Sequence, residues 1–260
     1  MEYIVVCLVA MLVSALTLFS GFGLGTVLMP AFALFFSVPI AIAATAVVHL
    51  ANNIFKVFLV GRKAVWGIVL RFAIPGAIAA FIGAALLNLF AHLTPLYTYQ
   101  LFGREHDITV IKLVIGILII GFALFELLPR FRRLSFDRKY LPLGGLLSGF
   151  FGGLSGNQGA LRSAFLIKTG MEKEAFIGTG TVSAVIVDVA RMLVYGLSFY
   201  TSQVEDLTGT WALVLAATLA AFLGAFMGKR LLKTITLGAI QLIVGIMLII
   251  IGLGITSGLI

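Results

Sequence analysis

Charge is what this chain has least of: Asp, Glu, Lys and Arg together make up 11% of its 260 residues. A soluble globular domain carries roughly 25%, so there is too little polar surface here to keep a folded domain in water. Cysteine is nearly absent as well. Cys7 stands alone, which excludes an intrachain disulfide and a cysteine metal cluster. There are only three histidines, His49, His92 and His106, and no paired acids, so neither a nucleophile–base pair nor a metal ligand set suggests an enzyme. No phosphate-binding loop of the nucleotide-hydrolysing kind occurs, so ATP drive within the chain is not expected. The short alternating segments of a membrane β-barrel are missing too. No basic region precedes the first apolar run, so no cleavable signal peptide is expected.

What fills the chain instead is apolar sequence, 61% of it. Apolar runs of about 20 residues recur, each long enough for a hydrocarbon core roughly 30 Å thick. The fold class is therefore an all-α polytopic membrane protein. The net charge of +8 does not point to nucleic acid, because the basic residues sit at the ends of apolar runs. The partner that composition implies is the lipid bilayer.

The chain says nearly the same thing twice. NIFKVFLVG (Asn53–Gly61) matches DVARMLVYG (Asp188–Gly196), AAFIGA (Ala79–Ala84) matches AAFLGA (Ala220–Ala225), and IKLVIGILIIG (Ile111–Gly121) matches IQLIVGIMLII (Ile240–Ile250). The matches keep their order, at offsets that drift by a few residues. A membrane protein built from two copies of one unit is most often a transporter. The division this gives is a first repeat over 1–129, a basic linker over 130–140 and a second repeat over 141–260.

Each half opens on a broken stretch. Tyr3–Phe19 is interrupted by Ser20–Gly25 and resumes over Thr26–Phe36; Leu141–Leu154 is interrupted by Ser155–Gly159 and resumes over Ala160–Thr169. Clustered glycine disfavours continuous helix, and non-helical backbone at membrane depth survives only where protein or a water-filled cavity covers it. Both stretches are expected to be re-entrant hairpins with tips near the midplane. Three spans follow in each half: Ile40–Val60, Trp66–Leu89 and Ile108–Leu128, then Ala175–Leu197, Leu207–Met227 and Ile235–Ile255.

Charge sets the orientation. The linker with Arg130, Arg132, Arg133, Arg138 and Lys139 should be cytoplasmic, together with Arg62-Lys63 and Lys229-Arg230-Lys233. The loop with Glu205 and Asp206, the mixed loop around Arg104–Asp107 and both termini then fall outside. An odd number of crossings per half places two similar units in the membrane in opposite orientation, the inverted-repeat plan of many secondary transporters, with the site where the repeats meet.

Polar residues inside the spans mark that site. His49, Asn52, Asn53 and Lys56 share one face of the first full span; in the second half Thr181, Asp188 and Arg191 share another, with Asn53 aligned to Asp188 and Lys56 to Arg191. A charge inside a span costs at least about 2.5–3.5 kcal/mol on insertion scales, and such residues usually face a transport pathway. The rival reading is structural: Asp188 and Arg191 neutralise each other, and Lys56 snorkels. At the second tip Asn157, Gln158 and Arg162 cluster where a half-helix begins, and a helix N-terminus favours anions. The first tip, with Gly25 and Thr26, offers the same backbone geometry. Glu126 is expected to pair with Arg130, and Lys112 to snorkel outward.

The segments GFGLGTVLMPAF, HLANNIFK, GGLSGNQGALRSAFL and DVARMLVYG together resemble the TauE/SafE family of membrane transporters, also called the toluene sulfonate uptake permease family. The resemblance covers almost the whole chain. It implies a multi-pass inner-membrane permease for a small anion such as sulfite, sulfoacetate or another sulfonate. Where many members have consecutive glycines, this chain has Gly23-Leu24-Gly25, and its second tip carries the more polar Asn157-Gln158.

The sequence thus points to a secondary transporter of a small anion, with an anion channel as the alternative use of the same hairpins. The substrate-binding set is Gly25, Thr26, His49, Asn52, Asn53, Lys56, Asn157, Gln158, Arg162 and Arg191. Asp188 is the candidate for proton coupling, with uniport left open. No cofactor or metal is implied, and both a monomer and a homodimer remain compatible.

Overall fold

The computed structural model of the chain describes residues 1–20, 23–132, 134–202, 210–231 and 237–260. In the first half, α1 (Glu2–Ser20) and α2 (Leu24–Ala33) flank the first break, followed by α3 (Val38–Val60), α4 (Trp66–Ala91) and α5 (Val110–Leu127). A single turn, α6 (Pro129–Arg132), opens the linker. In the second half, α7 (Leu141–Ser155) and α8 (Gly159–Leu166) flank the second break, followed by α9 (Lys173–Ser202), α10 (Trp211–Leu231) and α11 (Leu237–Thr256). Five of these helices, α3, α4, α5, α9 and α10, are long and apolar enough to cross a membrane, and α11 is apolar over Val244–Thr256. The calls on Arg133, Lys233, Glu205 and Asp206 lie outside the described residues.

The breaks fall where glycine and polar residues cluster. Gly156 ends α7 in the left-handed conformation (φ 81°), which a side chain would strain, and its N–H still bonds to Gly152 O at 3.0 Å. The chain then doubles back. Gly144 near the start of α7 lies against Phe165 near the end of α8, and Ser148 Oγ donates to Gln158 O at 2.9 Å. α7 and α8 therefore form an antiparallel helical hairpin.

Close backbone contact holds the bundle. Between helices in a bilayer there is no hydrophobic driving force, and small residues that let backbones approach take its place. On α7, Gly145, Gly149 and Gly153 lie against the carbonyls of Phe72, Gly76 and Ala80 on α4, so these two helices run parallel. Gly224 and Gly228 put α10 against Met11 and Ala15 of α1 in the same way. The matched spans run antiparallel to each other. Gly116 of α5 lies against Gly252 and Thr256 of α11, while Gly245 of α11 lies against Leu127 of α5. On α3 and α9, His49 meets Asp188 and Val60 meets Gly178. Outward, α4 exposes the row Ile74, Ile78 and Ile82, and α10 the row Leu215, Leu219 and Leu223. Such apolar rows on the outside suit lipid.

Two local readings are corrected, and a third gains a partner. The mixed loop around Arg104–Asp107 is a β-hairpin, β1 (Tyr97–Leu101) paired antiparallel with β2 (Arg104–Ile108). Its turn, Phe102-Gly103, has φ 52° and 73°, the two positive values a two-residue hairpin turn needs. Tyr99 Oη fastens it to Ser257 O at 2.7 Å. Glu126 forms no ion pair with Arg130 among the described residues, and its Oε1 is buried with no hydrogen-bond partner there. Lys112 turns to the chain's last residues, where Nζ donates to Gly258 O at 3.4 Å.

Candidate functional site

The two breaks meet. Gly25, in the first turn of α2, approaches Gly156 so closely that a Cβ there would stand 2.6 Å from the Gly156 carbonyl oxygen. Beside this contact lies a small cavity that opens at one end. Its walls come from both halves: Gly25 and Thr26 of α2, His49, Asn53 and Lys56 of α3, Gly156, Gly159, Arg162 and Ser163 around the start of α8, and Phe176, Ile177, Gly180 and Thr181 of α9. Ser163, Phe176 and Ile177 are half-buried, so the mouth lies at the start of α9. That end carries the basic loop of Arg62 and Lys63, where Lys63 pairs with Glu174.

Two helix N-termini face this space. The first N–H groups of a helix lack intrahelical partners and carry partial positive charge. Val27 N bonds back to Gly23 O in α2 and Arg162 N to Gln158 O in α8, so the N–H groups ahead of them are the ones left over in each first turn. Arg162 and Lys56 add side-chain cations to the same walls, both under 10% exposed.

Behind Asn53 and His49 sits Asp188, with no exposed surface. Its carboxylate joins three elements. Oδ2 accepts from Asn53 Nδ2 at 3.0 Å and lies 2.7 Å from His49 Nδ1, both on α3. Oδ1 accepts from Gln158 Nε2 at 2.8 Å and from Arg191 Nε at 3.0 Å, with Arg191 Nη2 2.8 Å away. Arg191, also fully buried, donates from Nη1 to Gly152 O at 3.2 Å, and Arg162 Nη1 donates to Gln158 Oε1 at 3.3 Å. Tyr195, one turn beyond Arg191, donates to Gly153 O. The last turn of α7 is thus tied to α9 on the side away from the mouth. Burying a charge is costly unless it is paired and hydrogen-bonded, and here the donors surround both oxygens.

Of the residues expected from sequence, Gly25, Thr26, His49, Asn53, Lys56 and Arg162 line the cavity. Gln158, Asp188 and Arg191 form the buried cluster behind it. Asn52 does neither: its side chain turns to α1 and accepts from Ser14 Oγ at 3.0 Å. One residue step on a helix rotates a side chain by about 100°, which carries Asn52 off the face that Asn53 uses. Asn157 is buried in the tip outside the cavity walls, and its Oδ1 has no partner among the described residues.

Sequence reading had not singled out Ser163, Phe176, Ile177 or Tyr195. Ser163 follows Arg162 in the first turns of α8 and was within reach of the half-helix argument. Phe176 and Ile177 carry no local signal, because only the packing of α9 makes them a rim.

The sulfite exporter TauE/SafE family profile matches residues 6–255. The chain belongs to that family. Its members are transporters, and with five apolar spanning helices this member is a multi-pass membrane protein. No curated protein and no solved structure gives a significant match. The matched span takes in both breaks and every residue of the cavity and the Asp188 cluster.

Proposed function

We propose that the chain is a secondary transporter of a small sulfur-containing anion, such as sulfite, sulfoacetate or another sulfonate, and that the cavity between the two breaks is where the anion binds. The observation that carries this reading is the meeting of two helix N-termini beside Arg162 and Lys56. Backbone N–H groups at helix starts hold anionic oxygens, and a guanidinium offers a planar fork that suits a sulfonate or carboxylate.

The reading has the two halves as inverted repeats, 1–129 and 141–260, joined by a cytoplasmic linker, in an inner membrane. Antiparallel packing of α5 on α11 and of α3 on α9 supports it, because matched helices that run in opposite directions are what inversion produces. So does the Gly116–Thr256 and Gly245–Leu127 pairing, in which each contact is the other with the halves exchanged. Hairpin geometry in α7–α8 favours a re-entrant tip. The cavity mouth lies with the basic Arg62-Lys63 loop, which supports reading this state as open to the cytoplasm, with the ties from Arg191 and Tyr195 to α7 closing the far side. Alternating access then exchanges these two conditions, with proton coupling where His49 meets Asp188.

A thermal-shift screen against sulfite, sulfoacetate, taurine, sulfate and short carboxylates tests the substrate class. A hydrogen bond to a charged group contributes roughly 1.5–3 kcal/mol, so Arg162→Ala should weaken binding about ten- to a hundredfold. Arg162→Lys, lacking the fork, should restore part of it. Unchanged affinity in a folded Arg162→Ala protein removes this cavity from the pathway.

A further inference from the structure

We infer that His49, and not Asp188, is the group that takes up and releases a proton at the transport site, with Asp188 as the positioning residue that fixes its tautomer. This rests on the cavity's being the anion site and names how that site is regulated.

The geometry separates the two residues. Asp188 has no exposed surface and is not part of the cavity wall. Its oxygens already face Asn53, Gln158 and Arg191 as donors. A proton placed on Asp188 would point a donor at donors and leave Arg191 buried without its counter-charge. His49, in contrast, touches both sides. It lines the cavity beside Gly25, and it lies 2.7 Å from Asp188 Oδ2 through Nδ1.

An ionised carboxylate only accepts, so that short contact requires the hydrogen on Nδ1. Nε2, on the other edge of the ring, is then left with its lone pair. Asn53 Nδ2 stands 3.1 Å from Nδ1 and 3.5 Å from Nε2, and its hydrogen bond goes to Asp188 Oδ2. A carboxylate that orients an imidazole and supports its charged form is one arrangement in which histidine moves protons. The proton arrives from water in the cavity and bonds to Nε2, while Nδ1–H stays on Asp188; release reverses the step.

Charged groups on three elements face the ring or its cavity. Asp188 of α9 favours the imidazolium. Arg191 of α9, whose Nη2 is 3.5 Å from Nδ1, opposes it, as does Arg162 of α8 across the cavity, and Lys56 of α3 lines the same walls. α2 brings no ionisable side chain to the cavity. A negative charge entering the cavity adds to Asp188 and tips the balance, so anion and proton bind together.

The test uses methanesulfonate and sulfoacetate as probes, whose own charge is constant near neutral pH, on the purified full chain. Wild-type affinity should rise as pH falls between about pH 6 and 8, by up to about tenfold per pH unit, the slope of one linked proton. In His49→Gln this slope should vanish. In Asp188→Asn, which no longer fixes Nδ1–H, the slope should shift along the pH axis. A second measurement does not depend on the variants at the site. In a protein with His92→Asn and His106→Asn, nitrogen-15 NMR of the one remaining imidazole should show the Nδ1–H tautomer without anion and the doubly protonated ring with it. Wild-type binding that is flat with pH, or a ring that holds the Nε2–H tautomer or does not change on adding either probe, overturns the inference and leaves the anion site standing. Failure of both probes to bind at any pH overturns the anion site and this inference with it.

Discussion

Gly25→Ala should damage the anion site through one atom. The added Cβ would stand 2.6 Å from Gly156 O, against about 3.4 Å for ordinary contact, so the two tips must part by about 0.8 Å (3.4 − 2.6). Neither side has a flexible side chain to swing away, because the atom met is backbone. The Gly156 oxygen is also held, since it accepts from Gln158 N at 3.2 Å, and Gln158 in turn holds Asp188. Forcing one methyl into a packed contact costs roughly 1–3 kcal/mol, while alanine for glycine in a helix returns about 0.5–1. The fold should therefore survive with a small loss. The site is built from the tips themselves, so the strain falls on the aim of their N–H groups. Anion affinity should drop about tenfold or more, the equivalent of 1.4 kcal/mol. Calorimetric titration with sulfoacetate reads the affinity, and thermal unfolding in detergent reads the fold. Gly121→Ala is the control, because nothing lies within 4 Å of its Cβ position. A folded Gly25→Ala protein that binds like wild type would show that the tips do not meet as described, and the argument from paired helix starts would go with it.

Three other outcomes follow from the same geometry. Gly149→Ala drives a methyl onto the Gly76 carbonyl of α4, and unfolding in detergent should occur earlier by roughly 1–3 kcal/mol, whereas Gly121→Ala should be neutral or stabilising; equal behaviour of the two would contradict the α4–α7 contact. In a Cys7→Ser background, cysteines at Ser135 and Ser202 should differ in labelling by an impermeant reagent on intact cells, with Ser202 the one reached; equal labelling of both sinks the inverted arrangement. Asp188→Asn leaves Arg191 buried beside a neutral amide and should cost about 3–5 kcal/mol of stability, part of which Asp188→Asn with Arg191→Gln should recover; a fully stable single variant would mean the pair does not hold α7, α8 and α9 together.

Periodicity and glycine were enough to find nearly every helix. The second break was located at Ser155–Gly159, and α7 ends at Ser155 while α8 begins at Gly159. This worked because a membrane leaves few alternatives: a backbone that cannot bond to solvent must be helical wherever it is not covered. The β-hairpin at Tyr97–Ile108 was illegible for the opposite reason. It lies where the backbone has other partners, and its Phe102-Gly103 turn lacks the asparagine or aspartate that usually signals positive φ. Within the site, the helical stripe found His49, Asn53 and Lys56 but swept in Asn52, because a stripe drawn from spacing is wider than the face a cavity touches. Phe176 and Tyr195 were out of reach, since their roles depend on where α9 crosses α7 and α8 rather than on any neighbour in sequence.

The duplication has diverged at two positions that shape the proposed anion site. Asn53 is matched by Asp188 and Lys56 by Arg191. Lys56 faces the cavity, whereas Arg191 is fully buried against Asp188. Had both halves kept aspartate, a second carboxylate would stand at position 53 on the cavity wall, within reach of the first, and would oppose the field of Arg162 and Lys56. Had both kept asparagine, Arg191 would be buried without a counter-charge, a state worth avoiding by several kcal/mol. One acid is therefore the number that fits. It neutralises the buried arginine, while the neutral amide of its mate presents N–H to both the acid and the cavity. The halves share a backbone plan, and the charge at the proposed site is left to their differences.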